Sequence, residues 1–346
     1  MNSVTTPIHF AIVGAGVIAP LHARAIAQQK DAKLVAVCDI IEDRAAKLAS
    51  EYDAPGVYTN CKTMLREQPE IDIVSVCVPS GTHAEITIAA AEAKKHVLCE
   101  KPLEITAAKM DAMLEACAKN QVKLAGVFQR RTMEAAKITK QAIDDGKLGR
   151  MVLGDAYLKY YRSPEYYKSA GWRGTWELDG GGALMNQGIH GIDLIQWMMG
   201  EVESVFAYAS PLVRDIEVED TAVVALKYKN GAFGVIQGTT SVYPGMPTRF
   251  QLHGENGTIA FSDLGIEQWA FQDSDEEVPE TRADIGGSSD PKAISEDGHF
   301  LLVDDFVRAV QEDRDPLVGG ADARKAVDLL LAIYESARTG KEVQVP

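Results

Sequence analysis

Apolar residues in the first third of the chain fall into short, β-branched runs separated by amphipathic stretches. The runs at 8–13 (IHFAIV), 34–38 (LVAVC), 57–59, 71–78 (IDIVSVCV), 96–100 and 122–128 (VKLAGVF) predict strands. The stretches at 17–29, 42–51, 83–94 and 106–119 predict helices. Runs with no polar face suit a parallel sheet covered on both sides, and strand–helix alternation supplies its right-handed crossovers. The prediction is an α/β Rossmann-like domain with a parallel sheet over residues 1–130.

The pattern changes beyond that point. A helix is expected at 132–145, then longer alternating segments at 151–161, 202–210, 221–229, 232–240, 248–253 and 257–261. Asn230-Gly231 between two such runs is a hairpin signal, because both turn positions tolerate positive φ. Residues 131–346 therefore read as a second, α+β domain with a large, mostly antiparallel open sheet, serving substrate binding and oligomerisation. Residues 273–299, rich in Asp, Glu, Ser and Gly, read as a surface loop, and helices at 300–312 and 321–338 close the chain.

Charge and cysteine content narrow the partners. The net charge of −15 argues against a nucleic-acid backbone or an anionic membrane surface as partner. No apolar run approaches the ~20 residues of a spanning helix, and Met1–Pro7 lacks the basic start and apolar core of a signal peptide. The five cysteines include no C-x-x-C pair and read as reduced core residues, so a cytoplasmic protein without a metal site is expected.

Two segments carry chemistry. Gly14-x-Gly16-x-x-Ala19 follows the first strand and opens a helix: the first glycine permits the tight turn, the second lets a pyrophosphate approach, and the small third residue lets helix and strand pack. The anion then meets unpaired N–H groups at the helix start, where Pro20 is tolerable. Asp39 ends the second strand, at the spacing of a ribose ligand. Its carboxylate repels a 2′-phosphate, which favours NAD; Arg44 nearby leaves NADP open, and a turn-capping role for Asp39 is the bland alternative. Val17, Ile18, Pro79, His83, Glu100 and Lys101 complete the expected cofactor set.

The run Leu98-Cys99-Glu100-Lys101-Pro102-Leu103 ends a buried strand, at the edge where doubly wound sheets bind ligands. Proline after Lys101 biases it to extended geometry, and an ammonium partly desolvated near a positive ring has its pKa lowered. Downstream, Asp179-Gly180-Gly181-Gly182 leads into Ala183-Leu184-Met185-Asn186-Gln187-Gly188-Ile189-His190-Gly191-Ile192-Asp193. If this segment is one helix, Asn186, His190 and Asp193 share a face. Asn186 and Asp193 are expected to contact substrate; a helix-entry hydrogen bond, a packed core histidine and a buried structural carboxylate are the respective alternatives for Asn186, His190 and Asp193.

These motifs together resemble the glucose-fructose oxidoreductase / inositol dehydrogenase / rhizopine-catabolism (Gfo/Idh/MocA) family over essentially the whole chain, including Gly298-His299 and Asp305-Phe306. The resemblance implies an NAD(P)-dependent oxidoreductase acting on a sugar, sugar acid, nucleotide-sugar uronate or cyclitol. Lys101 is then the catalytic residue that orients the substrate hydroxyl, and His190 the general acid/base. Inositol dehydrogenase-like members carry Asp four residues before the histidine, where this chain has Asn186; an amide there suits hydrogen bonding to substrate.

Residues 157–176 are dense in aromatics and arginines. They read either as a packed loop or as contacts to a sugar acid through Arg162, Tyr166 and Arg173, and their wording resembles members that act on nucleotide-sugar uronates. Gln129 and Arg130 also stand at a strand end. Two other readings stay open: glycoside hydrolysis through transient NAD oxidation, and a non-catalytic nucleotide sensor. The open sheet predicts a homodimer or homotetramer, because its face and edges need cover.

Overall fold

The computed structural model describes residues 7–283 and 296–346. The chain opens with β1 (Ile8–Val13), α1 (Ala19–Ala27), β2 (Ala32–Cys38), α2 (Glu42–Glu51), β3 (Gly56–Tyr58), α3 (Cys61–Glu67), β4 (Ile73–Val76), α4 (His83–Glu92), β5 (His96–Cys99), α5 (Ala107–Asn120) and β6 (Leu124–Gly126). The six strands form one parallel sheet in the order β3-β2-β1-β4-β5-β6. Phe10, Ile12, Ile73, Val76 and Val97 are fully buried, as expected where helices cover both faces. The short α3 escapes the periodicity argument; the Asn60 side chain, accepting from the Thr63 N–H at 3.0 Å, starts it.

The second part runs α6 (Glu134–Asp144), β7 (Met151–Lys159), α7 (Pro164–Lys168), α8 (Ile189–Met199), β8 (Val202–Ser210), β9 (Thr221–Tyr228), β10 (Phe233–Thr239), β11 (Arg249–Gly254), β12 (Gly257–Ser262) and β13 (Gly265–Phe271). After the undescribed stretch come α9 (Glu296–Gln311), α10 (Gly320–Thr339) and β14 (Val343–Gln344). The eight strands form a sheet ordered β13-β12-β11-β7-β10-β9-β8-β14, in which only β7–β10 is parallel. Along β9, Ala222, Val224, Leu226 and Tyr228 are buried while Val223 is half exposed, the alternation of a sheet covered on one face. The hairpin at Asn230-Gly231 forms as read, with Gly231 at φ +88°.

The chain divides into two compact units. One comprises the residues up to Val127 together with Glu296–Arg324; the other comprises Phe128–Ser295 and Lys325–Pro346. The sequence-based division at 130 thus differs in one large respect: α9 returns to the first unit. It lies along α1, where Arg24 pairs with Glu296 and Gln29 donates to the Phe300 carbonyl at 3.3 Å. Of the predicted loop 273–299, residues 284–295 lie outside the described residues, and 296–299 form the first turn of α9. All five cysteines are buried and unbridged, and burial pushes the Cys38 and Cys117 thiols up to about 11. No helix among the described residues is long and apolar enough to cross a membrane.

Candidate active site

In the first unit, β1 and β4 are neighbours although five elements separate them along the chain, so the chain direction across the sheet reverses between them. Ligands of doubly wound folds bind at the carboxyl ends of such strands. Gly14 turns the chain there with φ +94°, and a Cβ on it would stand 2.6 Å from the Cys77 carbonyl group. Gly16 has open space around its Cα, so backbone is accessible. Helix α1 opens at Ile18 with no side-chain cap, and Val17 beside it is 72% exposed. A turn that cannot carry a side chain, followed by an uncapped helix start, fits the pyrophosphate of a dinucleotide. Asp39 braces this turn: its carboxylate accepts from the Ala15 N–H at 2.7 Å and the Ile41 N–H at 2.8 Å. The turn-capping and ribose-binding readings are compatible, since each carboxylate oxygen has a further lone pair.

Glu100 and Lys101 follow β5, and the Lys101–Pro102 peptide is cis. Glu100 is 6% exposed and accepts three hydrogen bonds: from His22 Nε2 at 2.8 Å, from His299 Nε2 at 3.4 Å and from the Lys101 N–H at 3.1 Å. Ser75 Oγ lies 2.6 Å from His22 Nδ1 and donates to it. Burial alone would push the Glu100 carboxyl up, but the two imidazole donors outweigh it and hold the group well below the usual carboxylate range. Burial lowers His22 despite the carboxylate beside it. The picture is a neutral His22 donating to an ionised Glu100. The three possible metal-ligating atoms lie within 4.8 Å of one another, but their contacts form a donor–acceptor array that already uses them. Glu100 therefore faces inward and holds the backbone of Lys101. His83, also in the expected cofactor set, is 1% exposed, with Nδ1 2.8 Å from the Pro102 carbonyl and Nε2 3.0 Å from the Val78 carbonyl. It ties the loop after β4, which includes Pro79, to the Lys101-Pro102 segment.

In the second unit, residues Ala183–Gly188 form a π-helical turn that runs directly into α8. The single-helix register fails here: Asn186 lies in the wider turn, and only His190 and Asp193 share regular α spacing. Such turns are frequent at functional sites. His190 is 7% exposed and meets the Phe128 ring edge-on at 5.9 Å. Asp193 receives a bidentate fork from Arg131 at 2.8 and 2.6 Å, both side chains being buried. Arg131 also stands 5.4 Å from the Trp197 ring. Arg130, which sequence placed at a strand end, pairs with Asp263 at 2.8 Å.

A second set of side chains meets the π-helical turn. Arg162, 3% exposed, donates twice to Gln187 Oε1 at 3.0 and 2.7 Å. Gln187 Nε2 donates to the Tyr166 hydroxyl at 2.8 Å and to Asn186 Oδ1 at 2.7 Å, and Asn186 Nδ2 donates to Asp179. Arg173 donates to the Tyr166 hydroxyl and lies 4.2 Å over its ring. The structure thus brings Asn186, Arg162, Tyr166 and Arg173 into one network. Gln187, Asp179 and Arg131 belong to it or to its neighbour and were not singled out from sequence, although Asp179 and Gln187 sit inside the glycine-rich motif itself.

The Asp179 contact makes the amide at 186 consequential. In Asn186→Asp two carboxylates would meet, so one must bind a proton more tightly than in the unfolded chain. A raised carboxyl pKa favours folding at low pH and is a penalty above it. The variant is expected to be less stable than the parent by on the order of 1–3 kcal/mol at pH 8, with the gap narrowing toward pH 5. Thermal unfolding of both proteins across that range measures it; a gap independent of pH would contradict it.

Comparison with known proteins agrees with this geometry. Residues 8–128 match the oxidoreductase family with an NAD-binding Rossmann fold, and residues 137–260 match the GFO/IDH/MocA C-terminal domain. A myo-inositol 2-dehydrogenase of Thermotoga maritima is 30% identical, the match covering 98% of each chain. The WlbA dehydrogenase of Bordetella pertussis, solved with NADH and UDP-GlcNAcA, superposes with a TM-score of 0.88 at 34% identity, over 98% of this chain and 99% of that one. A levoglucosan dehydrogenase solved with NADH superposes with a TM-score of 0.87 at 25% identity, over 99% and 100% of the two chains.

Fold, glycine turn and relatives together define an NAD-dependent oxidoreductase acting on CH–OH groups, of the sugar and cyclitol dehydrogenase type. The chain belongs to the Gfo/Idh/MocA family.

Proposed function

We propose that this dehydrogenase oxidises a hydroxyl of a nucleotide-linked sugar acid, with His190 as general base and Lys101 as the cation that orients the hydroxyl oxygen. The observation that carries the substrate class is the arginine–tyrosine cluster beside the π-helical turn. Two guanidinium groups, 4.2 and 5.7 Å from the Tyr166 ring, stand next to Asn186 and Gln187. A planar fork suits a carboxylate or phosphate: Arg162 is buried with its fork on Gln187, so half-buried Arg173 is the group placed to meet the anion, and half-buried Trp172, 4.7 Å from it, adds an aromatic face suited to a sugar or base. The resemblance to the WlbA dehydrogenase, solved with UDP-GlcNAcA, supports the same class.

Gly14, Gly16, Val17 and Ile18 would hold the pyrophosphate of NAD, and Asp39 a ribose. When bound, NAD supplies the acceptor for the hydride leaving the carbinol carbon. The chain's own part is to hold and deprotonate the alcohol. Lys101, its backbone pinned by Glu100, offers an ammonium to the substrate oxygen. His190 takes the O–H proton as the C–O bond gains double-bond character. Arg131, through Asp193 one helical turn on, fixes the α8 face that carries His190.

The test is nicotinamide reduction, followed by absorbance, with UDP-GlcNAcA, free sugar acids, levoglucosan and myo-inositol in parallel. Turnover of UDP-GlcNAcA far above the others is expected. Faster turnover of myo-inositol or a free sugar would overturn the substrate class. We also infer that the open face of the eight-stranded sheet, where Leu153, Tyr208, Val223 and Phe233 are exposed, pairs with another copy. Light scattering should then report a dimer or tetramer, and a monomer at working concentration would refute the pairing.

A further inference from the structure

Three successive backbone N–H groups enter the π-helical turn, and one distant residue accepts from all of them. Glu219, just before β9, takes the Gly182 N–H on Oε2 at 3.0 Å and the Leu184 N–H on Oε1 at 2.8 Å. Its own carbonyl takes the Ala183 N–H at 2.9 Å. The Tyr334 hydroxyl, from α10, donates to Oε1 at 3.0 Å. Glu219 is 2% exposed. The first N–H groups of a helix have no intrahelical partner, and buried ones require an acceptor from elsewhere. No Ser, Thr, Asp or Asn at Gly182 can serve as a local cap, because a Cβ there would stand 1.9 Å from the Glu219 carbonyl oxygen. The glycine run and Glu219 are therefore two halves of one fitting.

We propose that Glu219 is a positioning residue for the catalytic histidine: by gripping the amides at 182–184 it sets the π-helical turn and thereby where Asn186, Gln187 and His190 stand. The proposal rests on the role given to His190 above. The grip is made by an ionisable group in an apolar setting: burial pushes its carboxyl up to about 7 against the hydrogen bonds from Leu184, Gly182 and Tyr334. A residue that only filled space would not need four polar contacts.

The test uses the full chain with Glu219→Gln, Glu219→Asp and Tyr334→Phe. Glutamine keeps the shape but offers an NH2 where one backbone N–H needs an acceptor. Amide hydrogen exchange without ligand is expected to rise at least about tenfold across 180–188 in Glu219→Gln and to stay unchanged in β8–β10. The His190 ring resonances should shift, kcat with UDP-GlcNAcA should fall about 10- to 100-fold, and NADH affinity should stay within about twofold. Tyr334→Phe and Glu219→Asp should move exchange in the same direction by less, and they carry the test if glutamine prevents folding. Unchanged exchange at 180–188 or unmoved His190 resonances would overturn the proposal. So would loss of protection with kcat intact. Absence of turnover in the parent protein would reject the substrate reading alone, because exchange and the ring resonances are read without substrate.

Discussion

His190→Ala is expected to lower kcat about 10^2- to 10^4-fold while NADH binds as before, the range for removing a positioned general base. The separation follows from placement. His190 lies in α8, in the unit formed by Phe128–Ser295 and Lys325–Pro346, whereas the glycine turn and Asp39 lie in the other unit. The imidazole is almost wholly buried against Phe128, so its orientation is held before substrate arrives. Lys101→Ala should act in the same direction. Lys101→Arg should not restore the rate, since a planar fork does not reproduce a compact ammonium. Steady-state rates with UDP-GlcNAcA and fluorescence titration with NADH check both. Near-parental turnover in His190→Ala would remove it from the chemistry.

Asp193→Ala is expected to cost about 3–5 kcal/mol of stability, the range for removing one partner of a buried ion pair. Arg131 would keep its place beside Trp197 but lose the carboxylate that receives its fork at 2.8 and 2.6 Å. The double replacement Arg131→Met with Asp193→Leu should regain most of the loss, because it removes both charges and keeps apolar volume. Asp193→Asn should fall between, retaining one acceptor. Urea unfolding of the four proteins decides the matter. If the double variant is no better than the single, the pair is not what the alanine substitution disrupts. A fall in kcat in the double variant at preserved stability would show that Asp193 also orients His190 or its substrate.

Much of this architecture was legible because local signals and global fold agree. The apolar run at 71–78 became a four-residue strand with no exposed position, and Asn230-Gly231 became a hairpin in which Gly231, but not Asn230, takes positive φ. The glycine turn, Asp39 and Lys101 were legible because each stands at a strand end, which periodicity locates. What escaped depends on partners distant in sequence. The π-helical turn at Ala183–Gly188 needs Glu219, and no local pattern distinguishes it from an ordinary first helical turn. The inward role of Glu100 needs His22 and His299, which lie 78 and 199 residues away along the chain. The first described turn of α9 was obscured by Gly298, a weak helix former that is buried in the folded chain. Strand β13, with five of seven positions out of the core, lacked a continuous apolar run to announce it.

The return of α9 to the first unit also has a consequence for the order of synthesis. The first six strands leave the ribosome long before the helix that lies along α1 and carries His299. At usual elongation rates, the roughly 170 residues between Val127 and Glu296 occupy on the order of ten to thirty seconds. During that interval the nascent sheet has Glu100 without one of its two imidazole donors and α1 without its neighbour. The nucleotide-binding half is thus among the first parts made and among the last completed, so vectorial folding from the amino terminus does not finish it. A released fragment ending at Val127 would stay in that unfinished state.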